Sequence, residues 1–314
     1  MAASETNDLV VGIDAGGTSV RIAYALASRP DPPIWESVGD ADPDGSPAPL
    51  LRLREKPEVP RGRVVAVVAG VAKLSRGDVA VRWDAALREA FPEAARRLVP
   101  DFTVAFHGAV PGGVGIMALA GTGSVIYGED ASGGAARVGG RGWEFGDEGS
   151  GGWITAEAVR RTQRAADGMA VSTALTEHVM SAVGSRDAGE IVEFARHRIS
   201  AEGRGFLIPL ITARAQAGDR EAADLFVGAA GWLGSQVRTA VARLDLPQGV
   251  PIPIATVGGL WEVGELLQAP FRRVLDRFAA ISYPAGLVAV LPNASPLIGA
   301  LRMAQEMAAA AGSV

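Results

Sequence analysis

Two short segments of this chain carry residue types that suit phosphate. In the first, Asp14 is followed by Gly16, Gly17 and Thr18, between the apolar runs 9–13 and 20–26. In the second, Gly121, Thr122, Gly123 and Ser124 separate two further apolar runs. Glycines let backbone N–H groups converge on an anion, and threonine adds a hydroxyl donor. Asp14, at a strand end, suits Mg2+ directly or through water, because hard cations prefer carboxylate and water oxygens. Either segment alone also reads as an ordinary hairpin turn. Together they form an internal repeat, 13–20 against 119–125, and two such turns facing each other would grip the β- and γ-phosphates of one nucleotide. Other phosphate and nucleophile signatures are absent: there is no GxxxxGK[ST], no strand-linked GxGxxG with a following acid, and no GxSxG elbow.

The densest polar stretch is GGRGWEFGDEGS at 139–150, which holds Gly140, Arg141 and Asp147. Acids spaced by glycines in an otherwise apolar region suggest a loop that hydrogen-bonds a polyhydroxy ligand. The alternative is a surface loop leading into a helix capped by Ser150.

The elements that must position these residues follow from periodicity. Residues 9–26 and 114–128 read as strand, tight turn, strand, and 63–72 as a buried strand. The segment 29–62 is rich in Pro, Asp and Gly and reads as mostly loop. A helix is expected from Asp84 to about Leu98, broken near Pro92. Residues 102–106 fit either a short strand or the start of a helix. Helices are expected at 153–167, at 187–199 and from Asp219 to about Leu244. The last shows its apolar face as Ala222, Leu225, Phe226, Ala229, Leu233, Val237, Val241 and Leu244. Strands at 252–258 and 286–291 and a helix from Pro296 to about Ala310 complete an α/β pattern.

Composition narrows the classes. A length of 314 residues suggests about two domains. With 48% hydrophobic and 21% charged residues, the chain is an ordinary globular one. Thirty basic against 35 acidic residues leave a net charge of −5, so no basic excess exists to hold a nucleic acid. The absence of cysteine excludes disulfides, thiolate metal sites and a cysteine nucleophile. No signal peptide and no membrane span of about 18 apolar residues are found, so a soluble, cytoplasmic protein is expected. Forty glycines is roughly twice the usual share, and they cluster around the segments described above.

The strings DAGGTSVRIAYA, AGTGSVIYG, GGRGWEFGDEGSGGWI and TVGGL, in this order, resemble the sugar kinases of the acetate/sugar kinase–Hsp70–actin superfamily. Specifically they resemble the N-acetylglucosamine kinase branch of the BadF/BadG/BcrA/BcrD ATPase family, over residues 9–304. The resemblance implies an α/β fold of two ribonuclease-H-like, actin-like ATPase domains flanking a nucleotide cleft. The first would span 1–108, completed by the C-terminal helix 296–314, and the second 109–295. It implies ATP and Mg2+ as cofactors and a homodimer as the assembly. Asp14, Gly16, Gly17 and Thr18 match the family's first phosphate motif, and Gly121, Thr122, Gly123 and Ser124 its second. Gly258 and Gly259 match the adenosine motif.

The family's catalytic aspartate lies in a pattern that Asp101, Ala105, Gly108 and Ala109 fit, although Pro100 replaces the usual Asn or Ser before it. Such a carboxylate aligns the acceptor hydroxyl and accepts its proton late in the transfer. A helix N-cap is the plainer role for an aspartate there. Asp147 matches a sugar-binding acid, with Gly140 before it. Arg141 stands where the family has Trp, and 39–43 lacks the family's sugar-binding Asn, so the departures touch the acceptor rather than the phosphates. The implied activity is ATP-dependent phosphorylation of an amino sugar, of the N-acetylglucosamine or glucosamine type, at the 6-hydroxyl. The alternatives are a nucleotide-binding sensor of the same fold with lost kinase activity, or a kinase for an acidic amino sugar such as N-acetylmuramic acid. On the last reading Arg141 meets the acid; otherwise it faces solvent or pairs with Glu144 or Glu148.

Overall fold

A computed structural model describes residues 8–29, 31–184, 190–283 and 285–312. The chain divides into two compact units. One runs to Gly113 and resumes at Pro292; the other spans Val114–Leu291.

The first unit is built on β1 (Leu9–Ala15), β2 (Ser19–Leu26), β3 (Trp35–Asp40), α1 (Ala48–Arg54), β4 (Val64–Val71), α2 (Gly77–Ala90), β5 (Ala95–Pro100) and α3 (Asp101–Ala109). Its sheet order is β3-β2-β1-β4-β5. The hairpin strands β1, β2 and β3 pair antiparallel, whereas β1, β4 and β5 run parallel. Alternation along β1 sorts its side chains between two faces. Val11 and Ile13 join Ile22, Tyr24, Trp83 and Leu87 on the α1/α2 side, and Val10 joins Val68 and Val104 on the other.

The second unit holds β6 (Gly115–Ala120), β7 (Ser124–Glu129), β8 (Ala135–Gly139), α4 (Gly151–Ala166), α5 (Ala174–Val183), α6 (Ile191–Glu202), α7 (Ile208–Gln216), α8 (Arg220–Val241), β9 (Ile252–Val257), α9 (Glu265–Ser282) and β10 (Leu287–Val290). Its order, β8-β7-β6-β9-β10, repeats that of the first sheet strand for strand, with the same pattern of antiparallel and parallel pairs. The likeness of the two glycine hairpins is therefore the visible part of a duplicated sheet. This is the ribonuclease-H-like fold present twice. The core of this unit joins Ile116, Ala118 and Ile126 to Phe226, Leu233 and Val237 of α8 and to Phe271 of α9.

The last helix, α10 (Pro296–Gly312), returns to the first unit. It packs on α3 and β1, and Leu301 is fully buried there. A Cβ on Gly299 would lie 2.0 Å from the Val104 carbonyl oxygen, so these two helices cross at backbone contact.

Several expectations fail for physical reasons. The segment 29–62 is not mostly loop. It contains the edge strand β3, half-buried on alternate residues, and the seven-residue α1, both masked by flanking prolines. The helix expected from Asp84 begins instead at Gly77 and ends at Ala90. Asp84 lies within it, paired to Arg88 at 2.8 Å, and 95–100 is a strand. The charged run Arg96–Arg97 resembles a helix face, but register on β4 draws it into the sheet. Residues 102–106 are helical. The strand β8 and the helices α5, α7 and α9 were not anticipated, α9 because it carries Pro270 inside. The start of the 187–199 segment lies outside the described residues; its helix begins at Ile191.

Candidate functional site

In the first unit the glycine turn joins β1 to β2. Asp14 stands opposite Arg21 and Ala15 opposite Val20, and the Gly16 N–H donates to the Ser19 carbonyl at 3.0 Å. Gly17 and Thr18 are exposed. Among the described residues their N–H groups donate to no backbone carbonyl. The 39–43 segment borders this turn, since the Ala41 N–H donates to the Thr18 carbonyl at 3.0 Å.

Parallel pairing then brings a second acid to the same end of the sheet. Asp14 is level with Gly70 and Gly70 with Val99, so Asp101 follows two residues beyond that level. Two strand spacings offset the two positions laterally by about 10 Å. The carboxylates sense each other. Asp14 is pushed up to about 6, chiefly by burial; Arg21 opposes this and the Asp101 charge adds to it. Asp101 is not the N-cap of α3. Pro100 holds that position, and Asp101 is the first helical residue, its Oδ1 accepting from the Phe102 N–H at 2.9 Å.

In the second unit the corresponding turn is one residue shorter between its last paired residues, Ala120 and Ser124, and has no acid at the strand end. The Gly121 N–H donates to the Gly123 carbonyl at 2.8 Å. The Thr122 and Gly123 N–H groups donate to no backbone carbonyl among the described residues. The start of α4 holds this turn from behind. Gly151 and Gly152 donate to the carbonyls of Gly121 and Thr122, at 2.8 and 3.1 Å. Ser150 caps α4 by accepting from the Trp153 N–H. The helix cap expected of Ser150 is thus present.

Asp147 is buried and has φ +56°, a left-handed conformation that Asp tolerates better than most residues. Its Oδ1 accepts from the Gly142 N–H at 3.2 Å, and its Oδ2 faces Gly123. Burial raises its pKa against the pull of that N–H and of Arg204. The Glu148 carbonyl accepts from Ser124 Oγ at 2.9 Å and from Gln236 Nε2 at 3.3 Å. Arg137 donates to the Gly140 carbonyl. Neither Arg137 nor Gln236 was found from sequence. Gln236, a buried amide beside the apolar stripe of α8, was the readable signal.

Arg141 is exposed and meets no carboxylate at ion-pair distance among the described residues, so it does not pair with Glu144 or Glu148. Trp143 lies under the Arg204 guanidinium at 5.0 Å. Gly258, at the end of β9, has φ +104°, and a Cβ there would sit 2.4 Å from the Ala120 carbonyl. Glycine is thus required where β9 closes on the second turn. Gly259 adjoins open space.

The candidate residues therefore fall into two groups: Asp14, Gly16, Gly17, Thr18 and Asp101 on the first unit, and the remainder on the second. Each turn by itself offers donors that suit phosphate oxygens: backbone N–H groups that donate to no backbone carbonyl among the described residues, and a threonine hydroxyl. No cluster of three or more His, Cys, Asp or Glu side chains exists among the described residues. Asp14, a single carboxylate at the end of β1 beside the turn, suits Mg2+ of the kind held by one or two carboxylates, water and substrate phosphates. No helix among the described residues is long and apolar enough to cross a membrane.

Known proteins resemble this chain in sequence and in fold. The model of the BadF/BadG/BcrA/BcrD ATPase family matches residues 63–304. An N-acetylmuramic acid/N-acetylglucosamine kinase of Clostridium acetobutylicum is 26% identical over 199 residues, 63% of this chain and 63% of that enzyme. The match thus spans just under two thirds of that relative's length. An N-acetyl-D-glucosamine kinase of Dictyostelium discoideum is 24% identical over 276 residues, 81% of this chain and 86% of that enzyme. The crystal structure of a proposed N-acetylglucosamine kinase from Chromobacterium violaceum superposes with a TM-score of 0.70 at 25% identity, covering 94% of this chain and 98% of that one.

Proposed function

We propose, from the premise that this chain belongs to the BadF/BadG/BcrA/BcrD ATPase family, that it is an ATP-dependent kinase of an amino sugar. The acceptor is of the N-acetylglucosamine or glucosamine type and takes the phosphoryl group on its 6-hydroxyl. The observation that carries the reading is the pairing of roles at one sheet end: Asp14 beside the first glycine turn, and Asp101 at the start of α3. One carboxylate suits a metal–phosphate complex, and the other a hydroxyl that must lose its proton. The two kinases named above support the substrate class.

In this mechanism Asp101 is the catalytic residue. It orients the acceptor hydroxyl and takes its proton as the new O–P bond forms and the bond from the γ-phosphorus to the β–γ bridging oxygen breaks, releasing ADP. The N–H groups of Gly17 and Thr18 at the first turn, and those of Thr122 and Gly123 at the second, each suit phosphate oxygens as fixed donors. Bound Mg2+ would neutralise phosphate charge, and Asp14 would hold it directly or through water. Asp147, with Gly140, binds sugar hydroxyls; its carboxylate is oriented by the Gly142 N–H. Gly259, which adjoins open space, leaves room for adenine and ribose, and Gly258 lets β9 close on the second turn beside it.

An acidic amino sugar is the second reading. It rests on Arg141, whose guanidinium is exposed and has no carboxylate partner among the described residues. The test for both is ATP consumption against a panel of neutral, amino and acidic hexoses, with the phosphorylated position read by NMR. ATP turnover that no sugar stimulates would refute the kinase reading and favour a nucleotide sensor.

A further inference from the structure

Among the described residues only two that are not glycine have positive φ: Asp147 and Lys73, at +56° and +59°. Such backbone strain persists where surrounding structure enforces it, and it clusters at functional sites. Asp147 lies against the second glycine turn, with its Oδ2 facing Gly123. Lys73 lies beside the first. It follows the C-terminal end of β4, and its neighbour Ala72 donates an N–H to the Ala15 carbonyl at 2.8 Å. A small pocket is lined by Gly16, Gly17, Asp42, Ser46, Trp83 and Lys73. Each turn thus has one strained, charged residue at its side.

The residue type adds an independent observation. Of the 30 basic residues 28 are arginine; the only lysines are Lys56 and Lys73. A position needing only left-handed backbone would take glycine, as 17 described positions do. Lys73 makes no ion pair among the described residues, and its Nζ donates to the Pro43 carbonyl at 3.2 Å. It is the only cationic residue lining this pocket. A compact ammonium on a flexible stem is a phosphate binder that acts as a point charge.

We propose that Lys73 contacts the terminal phosphoryl group of the nucleotide at the first glycine turn. This rests on the kinase reading for the word terminal: the group being transferred must lie near the acceptor's base, and Asp101 shares this end of the sheet. The ammonium adds positive charge beside the backbone dipoles and the Thr18 hydroxyl of the turn.

The test compares AMPPNP with ADP, titrated by calorimetry into wild type, Lys73→Met and Lys73→Gly. Losing one exposed charge-assisted contact should weaken AMPPNP about tenfold and leave ADP within about twofold. Lys73→Gly also relieves the left-handed strain, so its Tm should match or exceed that of wild type while the preference for AMPPNP is still lost. A residue that merely braces the Pro43 loop would leave the AMPPNP/ADP ratio unchanged in both variants, and that result overturns the proposal. So does an equal loss for both nucleotides, or a wild type that binds neither. If wild type binds AMPPNP but phosphorylates no hexosamine, the kinase reading fails while the nucleotide ratio still decides Lys73.

Discussion

Replacing Asp14 with Asn should stabilise the unliganded protein at neutral pH while removing the proposed metal ligand. Burial lifts the Asp14 carboxyl from 3.8 to about 6. A raised folded-state value means that the fold favours the protonated form. Its contribution is fully present below pH 3.8 and is lost as pH rises through about 6. A rise from 3.8 to about 6 corresponds to about 3 kcal/mol of destabilisation at pH 8. About 1 kcal/mol of this is already lost at pH 4.5, so about 2 kcal/mol separates pH 4.5 from pH 8. Asparagine is nearly isosteric and does not titrate in this range. The stability advantage of Asp14→Asn over wild type should therefore grow by about 2 kcal/mol between these pH values. Urea denaturation checks this, with the transition of the first unit assigned by hydrogen exchange of β1 amides. An advantage independent of pH, or a variant less stable at pH 8 than at pH 4.5 relative to wild type, would refute the burial argument. Mg2+ should reduce the difference by stabilising wild type selectively in the presence of ATP.

Other substitutions separate the proposed roles. Asp101→Asn should lower phosphoryl transfer about 10²–10⁴-fold with ATP affinity nearly unchanged, measured by coupled assay and calorimetry; wild-type turnover would remove Asp101 from the mechanism. Gly123→Val should weaken ATP and raise the sugar KM together. The reason is not a positive φ, which Gly123 lacks, but a Cβ that would lie 2.8 Å from Asp147 Oδ2. Nucleotide affinity equal to wild type in a folded variant would count against the second turn as a phosphate site. Arg141→Trp should cost an acidic hexose about 10- to 100-fold in kcat/KM relative to a neutral one, as expected for one charge-assisted contact. Equal losses for both sugars, or none, would leave the neutral amino sugar as the acceptor.

Much of the candidate site was legible because it is local. A glycine turn between two apolar strands announces itself in a few residues, and its repetition about 105 residues later signalled duplication before any sheet was seen. The amphipathic period of α8 likewise marked its buried face, and Ala222 through Val241 lie in the core as that period requires. What depends on neighbours distant in sequence was not legible. Residues 95–100 become a strand only because β4 offers a free edge, and their arginines would otherwise suit a helix face. Asp14 and Asp101, 87 positions apart, influence each other only because β1, β4 and β5 run parallel and end together. Gln236 reaches the Glu148 carbonyl across 88 positions, so its role is decided by where α8 packs rather than by its own segment. The strain at Lys73 and Asp147 has the same origin. Neither residue prefers a left-handed backbone strongly enough to choose it alone; the turns and strand ends around them impose it. Residue type and spacing thus determined which groups could do the chemistry, and tertiary pairing decided which of them act on one another.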